Sequence, residues 1–474
     1  MRKIAGALRR HRTEIAVGLL RALTYLGLMA LFFGLLGIPN WQLRHINRTL
    51  ATTLLTWTVM TVTMIAVYGG YDIGKKKSKP IISSMALANL CVDLVTYLQL
   101  QIMNVNPDNR AHLTLFGEDF WWLMLAAVLQ TLLLILMVRV GNRIYFRIRQ
   151  PRACLLILDA GSDRDAMAEK ISRYSLQWHV SDTALWSDPG LADRIERADA
   201  VFLADVPDQE RMRLMKICYD LHRDVLARAQ LQDIMLSAAQ PLVIDDSLFL
   251  EMDYHKMSLG QRILKRLGDI LVSLAVLVIA SPLMLLIALA ILLTDGRPVF
   301  FRQERLTVGG RRFTIRKFRT MRSAAPEGTA PAESEVEQDP RVTPLGRFLR
   351  RARLDELPQF WNILVGDMTL VGPRPEMLDN IQRYKSAMPT FVYREKMKAG
   401  LTGYAQIEGR YNTNPEDKLM LDLMYIESFS LWNDVRLLFR TLTVFFKKDS
   451  AAPFVTTDAL QQEERKDDAC QPHS

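Results

Sequence analysis

Residues Arg341–Glu376 read RVTPLGRFLRRARLDELPQFWNILVGDMTLVGPRPE, with two adjacent carboxylates, Asp355 and Glu356, set between an arginine-dense segment and a Gly-Pro-Arg-Pro turn. Thr343 followed by Pro344 marks a helix start: a side-chain cap, then proline at the first helical position, where its missing N–H costs nothing. Leu345, Phe348, Leu349 and Ala352 recur at helical spacing and predict one apolar face. Arg347, Arg350, Arg351 and Arg353 fall on the remaining circumference, where guanidinium forks suit the phosphate oxygens of a lipid or a polyanionic substrate, or form a plain solvated face. Pro358 opens a second helix, QFWNIL, and so places the dyad at its N-terminus, where free N–H groups and the helix dipole favour anions. An ionised Asp among arginines can coordinate Mg²⁺ or attack phosphorus; an N-capping Asp followed by a first-turn Glu is the alternative without chemistry.

Upstream, VFFRQERLTVGGRRFTIRKFRTM (299–321) reads as two strands joined at Gly309-Gly310. Period-two alternation puts Phe313, Ile315, Lys317, Arg319 and Met321 on one face, so Lys317 and Arg319 stand about 7 Å apart, a spacing that suits a diphosphate. An ordinary charged strand is the other reading. Residues 323–339 are polar, acidic and Ala/Pro-rich, which predicts a mobile loop. After the turn, residues 378–397 form an amphipathic run suited to a membrane surface, followed by a glycine-rich turn, a helix bearing acids and tyrosines, and a last apolar helix. A polar tail, 450–474, is expected to be disordered.

Further upstream, LGDILVSLAVLVIASPLMLLIALAILL (267–293) is long enough to span a bilayer but carries Ser281-Pro282 at its middle. Proline removes a helix hydrogen bond and restricts the residue before it, so a sharp break is expected there. Arg262, Lys265 and Arg266 precede the run, and Arg297, Arg302, Arg305, Arg311 and Arg312 follow it. Basic residues at both ends predict a re-entrant hairpin with both ends in the cytoplasm. Asp269 is expected to pair with Lys265 or Arg266.

Four more apolar runs, near 14–36, 50–71, 80–103 and 118–139, each match the length of a membrane helix. The flanks MRKIAGALRRHR, GKKKSKP and RVGNRIYFRIRQPR are basic, so both ends of this bundle are expected in the cytoplasm, although Arg44 and Arg48 in the first connection run against that count. Asp93, inside the third run, is expected to take a buried hydrogen bond. The chain is 49% hydrophobic with net charge +9 over 474 residues, and its basic residues cluster beside apolar runs, which argues for headgroups and topology rather than nucleic acid. Cys91, Cys154, Cys218 and Cys470 are scattered, without the spacing of a zinc site or a disulfide framework. The first apolar run lacks a small-residue cleavage site.

Between these parts, residues 152–250 alternate strands and helices and predict a small parallel α/β domain. Gly161 follows its first strand and Asp182 is expected to close its second, where a ribose-binding acid would sit. AGSDRDA has one glycine where a dinucleotide fingerprint needs three, which favours a spacer or regulatory role.

LDELPQFWNIL…GDMTLVGPRP, with KFRTM at 317–321, closely resembles the catalytic domain of the bacterial sugar transferases, the polyprenol-phosphate phosphoglycosyl transferases. The resemblance covers roughly 258–449, and the whole chain resembles the long members of that family. It implies a bacterial cytoplasmic-membrane protein with its catalytic domain facing the cytoplasm, moving a hexose 1-phosphate from a UDP-sugar, UDP-glucose or UDP-galactose first, to undecaprenyl phosphate with release of UMP, to begin a surface polysaccharide. It implies Asp355 as nucleophile, Asp355 and Glu356 as Mg²⁺ ligands, Lys317, Arg319, Arg374, Pro373 and Pro375 as the substrate- and phosphate-binding set, and Arg350 with them, orienting the dyad. Arg353, two before Asp355, departs from the small residue usual there. The expected architecture is therefore a mixed membrane protein: a four-helix transmembrane domain (1–150), a Rossmann-like domain (151–250), and a re-entrant helix with an α+β catalytic domain (251–449). The bilayer is an expected partner, and homo-oligomers and polysaccharide-assembly proteins fit the same picture. A membrane-anchored nucleotide sensor or assembly protein is the competing class; a transporter is disfavoured because few charges lie within the membrane runs.

Overall fold

The structure is a computed structural model that describes residues 12–74, 78–105, 112–252, 257–322, 341–409 and 414–444. The expected loop 323–339 and tail 450–474 lie outside the described residues. The chain forms two compact units, Met1–Ala229 and Gln230–Ser474.

In the first unit, α1 (Arg12–Leu36), α2 (Arg48–Tyr68), α3 (Ser78–Asn104) and α4 (Glu118–Ile148) occupy the four apolar runs. Each is long and apolar enough to cross a membrane. α1 packs on α4, and α3 packs on both α2 and α4. Asp93 is fully buried and accepts hydrogen bonds from Asn89 (2.8 Å) and Gln130 (3.5 Å), so the acid within the apolar run is satisfied by amides. Arg44 spends its guanidinium on the carbonyls of Gly37 and Ile38 at the end of α1, a local capping role.

The α/β part of this unit is a four-stranded parallel sheet in the order β2-β1-β3-β4, with β1 Arg152–Leu158, β2 Trp178–Leu185, β3 Ala200–Leu203 and β4 Asp224–Ala227. Leu155, Leu156 and Ile157 of the central strand are fully buried, as a strand covered on both faces requires. Asp182 does not close its strand. Strand β2 runs on to Leu185, Asp182 lies opposite Leu155 of β1, and both its carboxylate oxygens accept from Arg194 at 2.7 Å.

The second unit begins earlier than a boundary at 250. A helix at Leu231–Ser237 (α5) contributes Ile234 to the same core as Phe313, Ile363, Leu370, Phe391 and Leu419. The long apolar helix, α6 (Leu259–Thr294), runs 36 residues without interruption through Pro282. The expected break is therefore not a gap in helical structure. Proline at 282 deprives the Val278 carbonyl of its N–H partner, and the Ser281 hydroxyl donates to that carbonyl at 2.7 Å, replacing the lost bond. Two further strands, Phe300–Leu306 and Arg312–Phe318, pair antiparallel around Gly309 and Gly310, both at positive φ, as the turn requires.

Residues near both ends of α6 contact the rest of this unit. Arg266 donates to the carbonyls of Ile363 and Leu364 (2.7 Å each), and Lys265 pairs with Asp434. Asp269 accepts from the Thr369 hydroxyl (2.8 Å) and the Leu370 amide (3.0 Å). The expected pairing of Asp269 with Lys265 or Arg266 is thus replaced by contacts distant in sequence, because tertiary packing sets each of the three side chains against a different partner on the domain. Towards the other end, Ile287 and Ile291 pack with Phe318 and Leu349, and Leu357 lies against that cluster.

Because Ile234 lies within the core, a fragment starting at Gln230 should unfold at a higher temperature in detergent than one starting at Tyr254. Within the longer fragment, Ile234→Ala should cost about 2–3 kcal/mol by chemical denaturation.

Candidate functional site

Thr343 caps the arginine-rich helix, its hydroxyl accepting from the Gly346 amide at 2.9 Å, and the helix ends at Arg351. Leu349 is buried beneath it, whereas Phe348, expected on the same face, is 61% exposed: eight residues are too short to bury a full stripe. The chain then turns at Arg353, whose φ of 51° is left-handed, a conformation that costs a non-glycine residue about 1 kcal/mol. That turn delivers Leu354–Glu356 as a single 3₁₀ turn directly before the helix Gln359–Val365.

Glu356 is the electrostatic centre. Its Oε1 accepts from Lys317 Nζ at 2.9 Å and from Arg374 Nη2 at 3.0 Å. Burial alone would push its pKa up, but Lys317, Arg374 and Arg353 outweigh burial and hold the carboxyl well below the ordinary range. The charge of Glu356 in turn raises the pKa of Arg374. Asp355 differs. It is 8% exposed and accepts no hydrogen bond from the described residues, and burial together with the neighbouring Glu356 raises its pKa against the opposing pull of Lys317, Arg350 and Arg374. Two adjacent carboxylates thus occupy opposite states: one neutralised by two cations, the other held available.

The residues also fit Mg²⁺. Both hydrogen bonds to Glu356 fall on Oε1, leaving Oε2, and the Asp355 carboxylate is uncommitted among the described residues. Two carboxylates with further positions for phosphate oxygens and water make a hard-oxygen set of the kind Mg²⁺ takes.

Lys317, Arg374, Asp355 and Glu356 therefore come together, while Arg319 does not join them. Its guanidinium donates to the carbonyls of Asp295 (2.5 Å), Gly296 (2.7 Å) and Arg297 (2.8 Å), closing the C-terminal end of α6. The strand stops at Phe318, so the period-two alternation that placed Arg319 beside Lys317 does not extend that far. Arg350 donates to the Thr320 hydroxyl at 2.9 Å and acts on Asp355 through its charge. Pro373 and Pro375 flank Arg374 and present carbonyls, not phosphate donors: Pro373 accepts from the Gly400 amide at 2.8 Å and Pro375 from Arg305 at 3.3 Å. Gly400 packs so closely behind the turn that a Cβ there would lie 2.1 Å from the Gly372 nitrogen, so only glycine fits.

Asn362 was not visible as a site residue. It is 1% exposed, donates to the Thr314 carbonyl (2.8 Å) and accepts from the Arg316 amide (3.1 Å), fixing the strand of Lys317 to the helix that follows Glu356. A lone Asn in an apolar helix carries no local signal for such a bond.

The model of the family described as bacterial sugar transferase matches residues 260–448, the stretch that holds this cluster. A UDP-glucose:undecaprenyl-phosphate glucose-1-phosphate transferase of Caulobacter vibrioides is 39% identical over 192 residues, covering 40% of this chain and 71% of that protein. The chain belongs to the bacterial sugar transferase family. Its relatives include an Escherichia coli protein named for the same glucose-1-phosphate transfer, 41% identical over 39% of this chain and 40% of its own length. They also include an undecaprenyl-phosphate galactose phosphotransferase of Salmonella typhimurium, 37% identical over 40% of this chain and 42% of its own length. The match thus spans about two fifths of those two relatives, and the stretch matched by the family model falls in the second unit of this sugar transferase family member.

The opposite pKa shifts predict opposite stability effects in metal-free protein. Glu356, depressed below its ordinary 4.5, contributes stability that is present above that pH and lost as pH falls through its folded value. Asp355, raised above 3.8, costs stability at neutral pH and is relieved by protonation. With EDTA at pH 7, Glu356→Gln should lower stability by about 3 kcal/mol and Asp355→Asn should raise the melting temperature, and both differences should shrink towards pH 3.

Proposed function

We propose that this protein transfers a hexose 1-phosphate from a UDP-sugar to undecaprenyl phosphate, releasing UMP, as the first step of a surface-polysaccharide repeat unit. The observation that carries the reading is the divided dyad: Glu356 neutralised by Lys317 and Arg374, and Asp355 buried beside it without a hydrogen-bond donor among the described residues. In this reading the Asp355 carboxylate attacks the phosphorus that bears the sugar. A P–O bond to the carboxylate forms as the bond to UMP breaks, and UMP leaves with that electron pair. An oxygen of undecaprenyl phosphate then attacks the same phosphorus, forming the diphosphate and returning Asp355 as carboxylate. Splitting the transfer in this way avoids bringing two polyanionic substrates together at once. Asp355 and Glu356 would hold Mg²⁺, which when bound supplies positive charge for the phosphate oxygens. Lys317 and Arg374, already fixed by Glu356, orient those oxygens. The names of the relatives favour UDP-glucose or UDP-galactose as donor.

The membrane arrangement follows the same logic. A straight α6 would separate Arg266 from Ile291 by about 38 Å. Yet Arg266 binds the carbonyl of Ile363, while Ile291 belongs to a cluster on which Leu357, six residues away, is packed. That seating of both arms on one domain supports a bend near Ser281-Pro282 and a re-entrant helix, with the site at headgroup level on the cytoplasmic side of the inner membrane.

Purified protein in detergent with Mg²⁺ and a polyprenol phosphate should release UMP from UDP-glucose or UDP-galactose. Asp355→Asn should lower that rate by about three orders of magnitude or more with little change in KM. Absence of UMP from every UDP-sugar tried would favour a membrane-anchored sensor or assembly protein. For the bend, a cysteine at position 296 should react with impermeant thiol reagent only from the cytoplasmic side, and labelling from outside intact cells would require a spanning helix.

A further inference from the structure

The Pro373-Arg374-Pro375 segment is held from behind at every carbonyl. Pro373 accepts from the Gly400 amide at 2.8 Å, Arg374 from Arg394 Nη2 at 2.7 Å and Pro375 from Arg305 Nη1 at 3.3 Å. The two prolines fix φ on either side of Arg374, so the residue that binds Glu356 sits on a backbone with little freedom left. Arg394 is the least expected of the three clamps. It lies in the 3₁₀ segment Pro389–Lys396 and is 5% exposed, with its guanidinium 4.9 Å from the centre of the Phe391 ring.

Its surroundings form a closed ion group. Asp422 Oδ2 is 2.7 Å from Arg394 Nη2, Glu376 Oε1 is 3.8 Å from Nη1, and Glu376 also pairs with Lys418. Two cations and two carboxylates balance one another. Asp422 is 1% and Arg394 5% exposed, while Lys418 reaches the surface with a quarter of its side chain exposed, and a buried ion pair such as Arg394–Asp422 often gives no more stability than well-packed apolar side chains would. What apolar side chains could not do is donate to a carbonyl. The aligned hydrogen bond from Nη2 goes to the Arg374 carbonyl, while the contact with Asp422 is an ion pair without hydrogen-bond alignment.

We propose that Arg394, held by Asp422 and Glu376, is a positioning residue that fixes the backbone of Arg374 and so sets the Arg374 guanidinium against Glu356 and the substrate phosphates. This rests on the transfer reading for its consequence, but the clamp itself is a property of the fold. Arg394 touches neither Glu356 nor Asp355; it acts through one carbonyl.

The test uses the full-length protein carrying Arg394→Met with Asp422→Asn, which leaves Glu376 paired with Lys418 and no acid unbalanced. Two measurements separate positioning from general support. Amide hydrogen exchange read by mass spectrometry, which needs no substrate, should accelerate in the peptide spanning Thr369–Leu378 while peptides from the Gln359–Val365 helix stay protected. Unchanged exchange at 369–378, or loss of protection throughout the unit, overturns the clamp. Second, kcat/KM for UMP release should fall about 10-fold or more in the wild-type background and little further in an Arg374→Ala background. Equal losses in both backgrounds mean that Arg394 does not act through Arg374 and overturn the proposal. Restored arginine at 394 alone, in the Asp422→Asn background, should recover most of the rate and the protection. A wild-type protein that releases no UMP contradicts the transfer reading and leaves the exchange result to decide the clamp.

Discussion

The second unit depends on one oxygen atom. Glu356 Oε1 accepts from both Lys317 and Arg374, and these two cations come from a strand and a turn that are 57 residues apart in the chain, as their numbers show. Without Glu356, two cations would face each other across a buried site; without them, the carboxylate would be a costly buried charge. Their mutual neutralisation is what lets a second carboxylate, Asp355, lie alongside. The proposed chemistry grows from this electrostatic balance: Lys317, Arg374 and Glu356 together leave a net positive charge, and in that proposal the remaining carboxylate, Asp355, is the group that reacts or binds metal.

The membrane helix is tied into this arrangement near its root. Asp269 holds Thr369 and Leu370, the strand that leads into the Gly-Pro-Arg-Pro turn, and Arg266 holds the carbonyls that close the helix after the dyad. Arg319 closes the far end of the same helix on the strand that carries Lys317. The elements next to the site residues are thus tied to one or other end of α6. The seating of that helix and the geometry of the site are one problem in packing, which accounts for so many of the unit's arginines being used on backbone carbonyls, leaving few to meet phosphate directly.

Local chemistry was legible in the sequence, and long-range choice of partner was not. Thr343-Pro344, Gly309-Gly310 and the dyad before Pro358 announce themselves because the signal and the structure lie within four residues of each other. The parallel sheet was legible from alternating strands and helices. Arg319 was misplaced because a strand's period says which side a residue faces only while the strand lasts, and Asp182 because its partner Arg194 sits on the next helix. Asp269 found Thr369, one hundred residues away, in preference to the cations beside it. Arg394 and Asn362 belong to the same class: single polar residues whose partners are set by tertiary packing and leave no periodic trace.

The most direct test of the central claim, that Asp355 is the group that takes the sugar phosphate, is a single mass measurement. Protein incubated with Mg²⁺ and its UDP-sugar, without any polyprenol phosphate, is quenched, digested and analysed by mass spectrometry. A hexose-phosphate adduct is expected on the peptide containing Asp355, formed with one equivalent of UMP, discharged when polyprenol phosphate is added, and absent from Asp355→Asn. Full turnover with no adduct, together with substantial activity in Asp355→Asn, would contradict it and assign the reaction to a direct displacement between the two substrates.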